Sequence, residues 1–347
     1  MDGHEHYNQP SSSRQTENFR VLRVQTETAD TVSVILGPET ASNDFIYHAG
    51  QYLNLWLDIT GQTLVRCYSF SSAPHETDLR ITVKRVPGGQ GSSYLNSQPL
   101  IGEHLLGSRP QGTFTLRDSS RAFLGLAAGS GITPVISILK HMLHSTLQPC
   151  LLFYVTPHPE QTIFHNELEL LRQVYPKRLI VQYWHTRLHG PFAGERAQRL
   201  LLDMTGNMQP DVYVCGPTAW MNLAQRWVQT HIKRFGNCYH ESFSEAVSST
   251  TASVDVGARH EVIIHLSSTS HRLMVGGWQS ILAAARASGL ELPSGCELGK
   301  CGGCMARCLS GEVDVGSTDF LTPAEIRQGY VLCCQAKPRS ACVLSLD

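Results

Sequence analysis

The sequence predicts a multidomain chain: an antiparallel β-barrel, then an α/β domain around a parallel sheet, then a small α+β domain. Three observations carry that expectation. At 347 residues the chain is longer than one core ordinarily supports. Short strands punctuated by Gly and Pro give way near residue 119 to apolar runs alternating with helical segments. A Ser- and Thr-rich stretch, 244–258, then precedes a segment that holds Cys296, Cys301 and Cys304 in a Gly-studded loop, "CELGKCGGC".

The opening, residues 1–17, is polar and lacks the basic and apolar regions of a secretory signal, so it reads as a disordered tail. Hydrophobic residues at 41% and charged residues at 16% describe a globular protein, and a formal net charge of −1 offers no broad attraction to nucleic acid or anionic lipid. The most apolar window, Phe123 to Leu139, is interrupted by Gly129, Ser130, Gly131, Thr133 and Pro134, so no membrane span is expected. Eleven cysteines without an export signal point to a reducing, cytoplasmic setting and to thiols or metal ligands instead of disulfides.

Residues 18–118 supply the barrel through "FRVLRVQTETADTVSVILG", "QYLNLWLDI", "DLRITVKRV" and "GTFTLRD". Residues 119–243 supply the parallel sheet through "AFLGLAA", "CLLFYVT", "RLIVQYW" and "DVYVCG", whose carboxyl ends are where ligands gather in such folds. Within it "LAAGSGITPVISILKHML" reads as strand, Gly-rich turn and helix, with Pro134 suited to a first helical position and Val135, Ile138, Leu139, Met142 and Leu143 on one apolar stripe. Residues 244–258 read as a linker, too poor in large apolar groups to bury much surface, and 259–347 form the last domain.

The cysteines follow C-x4-C-x2-C, with Cys334 following after a gap of 29 residues, and the first part of that spacing matches plant-type 2Fe-2S centres. Each tetrahedral iron of a two-iron core needs two thiolates, which makes Cys296, Cys301, Cys304 and Cys334 the candidate ligands. Gly295, Gly299, Gly302 and Gly303 let backbone amides approach sulfur. Zinc is the alternative, although it more often pairs its cysteines as CxxC with CxxC. Spacing leaves adjacent Cys333 open as the fourth ligand. Cys308, Cys342, Cys67, Cys150 and Cys238 are expected to be small buried hydrophobes.

Two further stretches carry a resemblance. "AGQYLNLWL" followed by "RCYSF", with "RVPGGQGSSYL" and "GTFTL" in order behind them, resembles the flavin-binding barrel of the ferredoxin-NADP reductase superfamily. The resemblance implies that Arg66 pairs with flavin phosphate, Tyr68 lies against the isoalloxazine or ribityl chain, and Ser69 hydrogen-bonds near N5, residue types suited to those tasks. It places Gly89, Gly91 and Ser92 in a phosphate turn and favours FAD, with FMN less favoured. Gly129, Gly131, Thr133 and Pro134 resemble the superfamily's nicotinamide-nucleotide loop, and Cys215, Gly216 and Pro217 its CGP motif. "HESF" is similar to the segment that closes the cleft, with Glu241 near the hydride path and Phe243 near the flavin. Arg187 stands where related reductases place a cation for the 2′-phosphate, which favours NADPH over NADH. The context "YVLCCQAKP" resembles a plant-type ferredoxin of β-grasp fold and favours Cys334.

Over its length the chain resembles single-component reductases that serve oxygenases, desaturases and hybrid-cluster proteins. The implied activity passes a hydride from NAD(P)H to flavin and single electrons through the cluster to a protein acceptor, with Ser69, Cys215 and Glu241 at the hydride site. A fatty-acyl desaturase is the first-choice acceptor, a ring-hydroxylating or mono-oxygenase or a hybrid-cluster protein the next; a membrane-bound acceptor fits as well. Lys300, inside the cluster loop, is expected to favour the reduced centre. A redox sensor, a zinc-binding interaction protein and an electron-transfer subunit of dihydroorotate dehydrogenase are the competing readings. The last has a much shorter gap before its final cysteine.

Overall fold

The computed structural model describes residues 16–39, 45–59, 61–97, 100–243, 258–266, 269–316 and 320–346. The start of the expected tail and nearly all of the expected linker lie outside them. The chain divides into two compact units: Glu17–Leu53 with Tyr68–Phe243, and the hairpin Asn54–Cys67 with Ser244–Asp347.

The first sheet is built from β1 (Thr16–Thr28), β2 (Thr31–Pro38), β3 (Tyr52–Ile59), β4 (Gln62–Ser69), β5 (Leu79–Lys84) and β6 (His104–Ser108), with the short helix α1 (Gln90–Leu95) between the last two strands. Its order is β4-β3-β6-β1-β2-β5. The start of β1 alternates, burying Glu17, Phe19 and Val21 and exposing the residues between them, as one half-buried face requires. An antiparallel bridge from Phe70 to Ile81, and the Ser71 amide donating to Arg80 O at 2.8 Å, tie the end of β4 to β5. The sheet therefore curls back on itself, which is what a barrel demands.

The second sheet comprises β7 (Phe123–Ala128), β8 (Cys150–Thr156), β9 (Leu179–His185), β10 (Asp211–Gly216) and β11 (Cys238–Ser242). Between them run α2 (Ile132–Ser145), α3 (His165–Val174), α4 (Thr186–His189), α5 (Glu195–Thr205) and α6 (Thr218–Thr230). The order is β11-β10-β7-β8-β9, and all neighbours are parallel. β7, β8 and β10 are buried along their whole length, which explains their unbroken apolar sequences. The chain winds outward from β7 through β8 to β9, then crosses to β10, so the winding reverses between β7 and β10.

Pro134 occupies the third position of α2, not the first. Its missing N–H is still harmless there, because the first four amides of a helix have no partner within it. The apolar stripe is also wider than the sequence suggests, since Ser137 and Lys140 are buried too. Ser137 Oγ donates to Ser72 O at 2.6 Å, and Lys140 Nζ pairs with Glu76 at 2.6 Å and Glu167 at 2.9 Å. Arg80 adds a two-pronged contact to Glu167 at 3.0 and 2.8 Å. These bonds lock α2 and α3 onto the loop after β4 and onto β5.

The third sheet contains β12 (Arg259–Leu266), β13 (Thr269–Gly276), β14 (Met305–Ser310), β16 (Tyr330–Leu332) and β18 (Cys342–Ser345) in the order β13-β12-β18-β14-β16; β15 (Val313–Asp314) and β17 (Lys337–Pro338) pair separately. α7 (Ile281–Ala287) is capped by Ser280, whose hydroxyl accepts from the Ala283 amide, and α8 (Pro323–Arg327) by a reciprocal Thr322–Glu325 box. Val262, Ile264, Ile281, Ala285, Leu332 and Leu344 form its core. No helix among the described residues is long and apolar enough to cross a membrane.

Candidate functional site

The loop between α7 and β14 wraps its cysteines in backbone donors. The amides of Leu298 and Lys300 donate to Cys296 Sγ at 3.3 and 3.4 Å, those of Cys296 and Gly303 to Cys301 Sγ at 3.1 and 3.4 Å, and that of Cys334 to Cys304 Sγ at 3.4 Å. Such a path requires left-handed backbone, found at Glu297 (φ 59°), Gly299 (φ 75°) and Gly302 (φ 72°). At Gly302 a methyl group would sit 2.0 Å from the Phe320 ring, so only glycine fits.

The sulfurs fall into two pairs, Cys296 with Cys301 and Cys304 with Cys334. Hydrogen bonding from Cys301 and neighbouring donors holds the Cys296 thiol well below its ordinary range. The contact with Cys304 likewise lowers Cys334. A two-iron centre wants two thiolates per iron and N–H groups directed at sulfur, and this donor set fits it. Gln335 braces the arrangement by donating to Glu297 O at 3.0 Å.

Cys333 shares a buried cluster with Cys304 and Cys334. It is fully buried in the apolar core, and burial pushes its thiol up to about 12. Cys150 and Cys342 are buried, as expected, whereas Cys308 and Cys238 are only half-buried. Cys67 departs from the small-hydrophobe expectation. Its Sγ donates to Asn54 Oδ1 at 2.9 Å, and Val65, two residues earlier on the same face of β4, lies against Gly295 beside Cys301 Sγ. The sequence signal for this was a polarisable residue at the unassigned position of "RCYS", which motif matching passes over.

At the winding reversal, the turn Gly129–Gly131 comes down on the end of β10. A methyl group on Gly131 would lie 2.4 Å from Cys215 C and O, and one on Gly216 would lie 2.9 Å from Ala128 Cβ. Thr133 is buried and its hydroxyl donates to Ser130 O at 3.0 Å, holding the turn. Parallel pairing sets Cys215 beside Ala127 on one side and Glu241 on the other. Cys215 is fully buried and Glu241 is 5% exposed, both near the carboxyl ends of their strands, where ligands gather in such folds. Pro217 follows as the residue capping α6, and Phe243, 41% exposed, lies just past β11. Arg187 is exposed on α4 directly after β9, its amide donating to Pro157 O at 3.1 Å.

β4 carries Arg66, Tyr68 and Ser69. Arg66 is half-buried with Nη1 donating to Val65 O at 2.8 Å, and Ser69 is buried. Gly89 caps α1 and Gly91 is buried in its first turn. The Ser92 hydroxyl accepts from the Val86 amide at 3.1 Å and donates to Gly89 O at 3.1 Å. It braces the turn.

Residues 18–116 match the family model of the oxidoreductase FAD-binding domain, 126–226 the oxidoreductase NAD-binding domain and 264–339 the 2Fe-2S iron-sulfur cluster binding domain. The ferredoxin reductase component of 3-ketosteroid-9-alpha-monooxygenase from Rhodococcus rhodochrous is 32% identical over 92% of this chain and 93% of its own. The chain belongs to the ferredoxin-NADP reductase superfamily. Within it, this reductase is of the type that carries a C-terminal plant-type 2Fe-2S domain, and it is an NAD(P)H-dependent oxidoreductase with FAD and a 2Fe-2S centre. A component of the 1,2-phenylacetyl-CoA epoxidase of Escherichia coli is 29% identical, covering 94% of this chain and 96% of its own. The glycine betaine monooxygenase reductase subunit of Pseudomonas aeruginosa is 28% identical, covering 86% and 87%. The phthalate dioxygenase reductase structure shares the fold, with a TM-score of 0.61 at 24% identity over 95% of this chain and 97% of its own.

Proposed function

We propose that this reductase draws electrons from NADPH and delivers them singly to the terminal component of an oxygenase system. The observation that carries the proposal is near end-to-end likeness to components of three such systems. These relatives support an oxygenase acceptor ahead of the fatty-acyl desaturase or hybrid-cluster protein that sequence resemblance also allowed. When bound, FAD takes up the nicotinamide hydride as a two-electron unit and the 2Fe-2S centre carries electrons one at a time.

The chain's own residues bind and align. Arg66 neutralises flavin phosphate, Tyr68 covers the ring system, and the buried Ser69 hydroxyl hydrogen-bonds near N5. The turn Gly89–Gly91, braced by Ser92, receives the pyrophosphate on backbone amides. Gly129, Gly131, Thr133 and Pro134 form the coenzyme turn at the start of α2. Cys215, Gly216 and Pro217 form the floor against which the nicotinamide is held, with Glu241 beside it and Phe243 at its margin. Arg187 recognises the 2′-phosphate. Cys296, Cys301, Cys304 and Cys334 hold the cluster.

The test is anaerobic stopped-flow reduction by NADPH and by NADH, followed by turnover with an oxygenase component encoded near this reductase. Bleaching of flavin and cluster with NADPH preferred, and product formed by that oxygenase, is the expected result. Equal use of NADH, with no preference lost in Arg187→Ala, removes the coenzyme assignment; transfer to a desaturase but to no oxygenase overturns the acceptor.

A further inference from the structure

Cys67 is not one of the four expected ligands, yet it stands on the face of β4 that meets the cluster loop through Val65. The hairpin of β3 and β4 reaches the cluster loop at two points, Lys300 and Gly295. Asn54 Nδ2 donates to Lys300 O at 3.4 Å, and Asn54 Oδ1 accepts from Cys67 Sγ at 2.9 Å. At Gly295 a methyl group would meet Val65 O at 2.8 Å and Cys301 Sγ at 2.6 Å, so backbone and sulfur close in on that glycine from two sides. Cys67 is therefore held, not merely near: the Asn54 amide is oriented at one end by the loop carbonyl and at the other fixes the thiol.

We propose that Cys67 is a positioning residue for the cluster, its S–H donating to the Cys296–Cys301 sulfur pair and raising the reduction potential of the centre. A thiol has one proton and rotates freely about its Cβ–Sγ bond. A thiolate bonded to iron carries negative charge and is a better acceptor than a neutral amide oxygen, so when the ligand set is loaded the proton turns from Asn54 to sulfur. Adding one electron makes the sulfurs more negative and the bond stronger, which favours the reduced state. Strand alternation adds a consequence. Cys67 points to the face of β4 opposite Arg66, the face it shares with Val65.

The inference rests on the ligand set given under the proposed function. The experiment is an EPR-monitored redox titration of the full-length, cluster-loaded protein and its Cys67→Ala, Cys67→Val and Cys67→Ser variants, each with iron and sulfide content measured. Alanine should shift the reduction equilibrium up to tenfold toward the oxidised form, about 59 mV for one electron; serine, which keeps a donor, should restore it. If alanine prevents loading, the nearly isosteric valine variant gives the same reading. Loaded Ala or Val variants with unchanged midpoints, or a Ser variant that falls as far as Ala, overturn the inference. Wild-type protein without iron and sulfide would instead overturn the ligand set.

Discussion

Cys333 and Cys334 share a peptide bond and one buried cluster, yet it is Cys334 that pairs with Cys304 while Cys333 is fully buried. Their substitutions should separate cleanly. Cys334→Ser should abolish the visible iron-sulfur absorption and the acid-labile sulfide. Cys333→Ala should retain both and cost about 1 kcal/mol, the transfer and cavity terms for one small side chain. Lys300 offers a second residue-scale test. Its amide donates to Cys296 Sγ at 3.4 Å, so its ammonium is tethered to the cluster loop by its own backbone. A positive charge there favours the reduced centre, and Lys300→Ala should lower the midpoint potential in a redox titration.

At the scale of elements, the Gly129–Gly131 turn packs tightly on the end of β10. Gly131→Ala cannot place its methyl group without moving backbone on one side or the other. Steady-state kinetics should show kcat/KM for the coenzyme falling by about tenfold or more, with FAD content unchanged, because displacement there misaligns the nicotinamide. The contacts that hold α2 and α3 make a pH prediction. Burial pushes the Glu167 carboxyl up, but Lys140 and Arg80 outweigh it and the net shift is downward. A carboxyl depressed on folding stabilises the protein above its unfolded pKa, about 4.3, and the contribution is lost as pH falls through the folded value. Glu167→Gln should therefore be less stable than wild type at pH 7 in denaturant titrations, by about 2 kcal/mol given its partial exposure. The difference should shrink below about pH 4.3.

At the scale of the whole molecule, three domain matches in separate stretches of chain imply separable electron-transfer steps. Cys296→Ser, lacking the cluster, should still oxidise NAD(P)H with ferricyanide at near wild-type rate, and should lose transfer to a protein acceptor. The order of these domains was legible because burial leaves a periodic trace: alternation in β1, unbroken apolar runs in β7, β8 and β10. The cluster loop was legible because its cysteine spacing is local. The Lys140, Glu76, Glu167 and Arg80 network was not, since its members are scattered and each reads singly as a surface charge.

The sequence alone determined the succession of domains and the cysteine loop, because each depends on residues within a few positions of one another. Tertiary structure decided which of two adjacent cysteines faces Cys304, and it brought Cys67 and Asn54 to the cluster loop. The approach of that hairpin depends on contacts between residues more than two hundred positions apart, whose pairing is fixed only when the hairpin and the loop pack together.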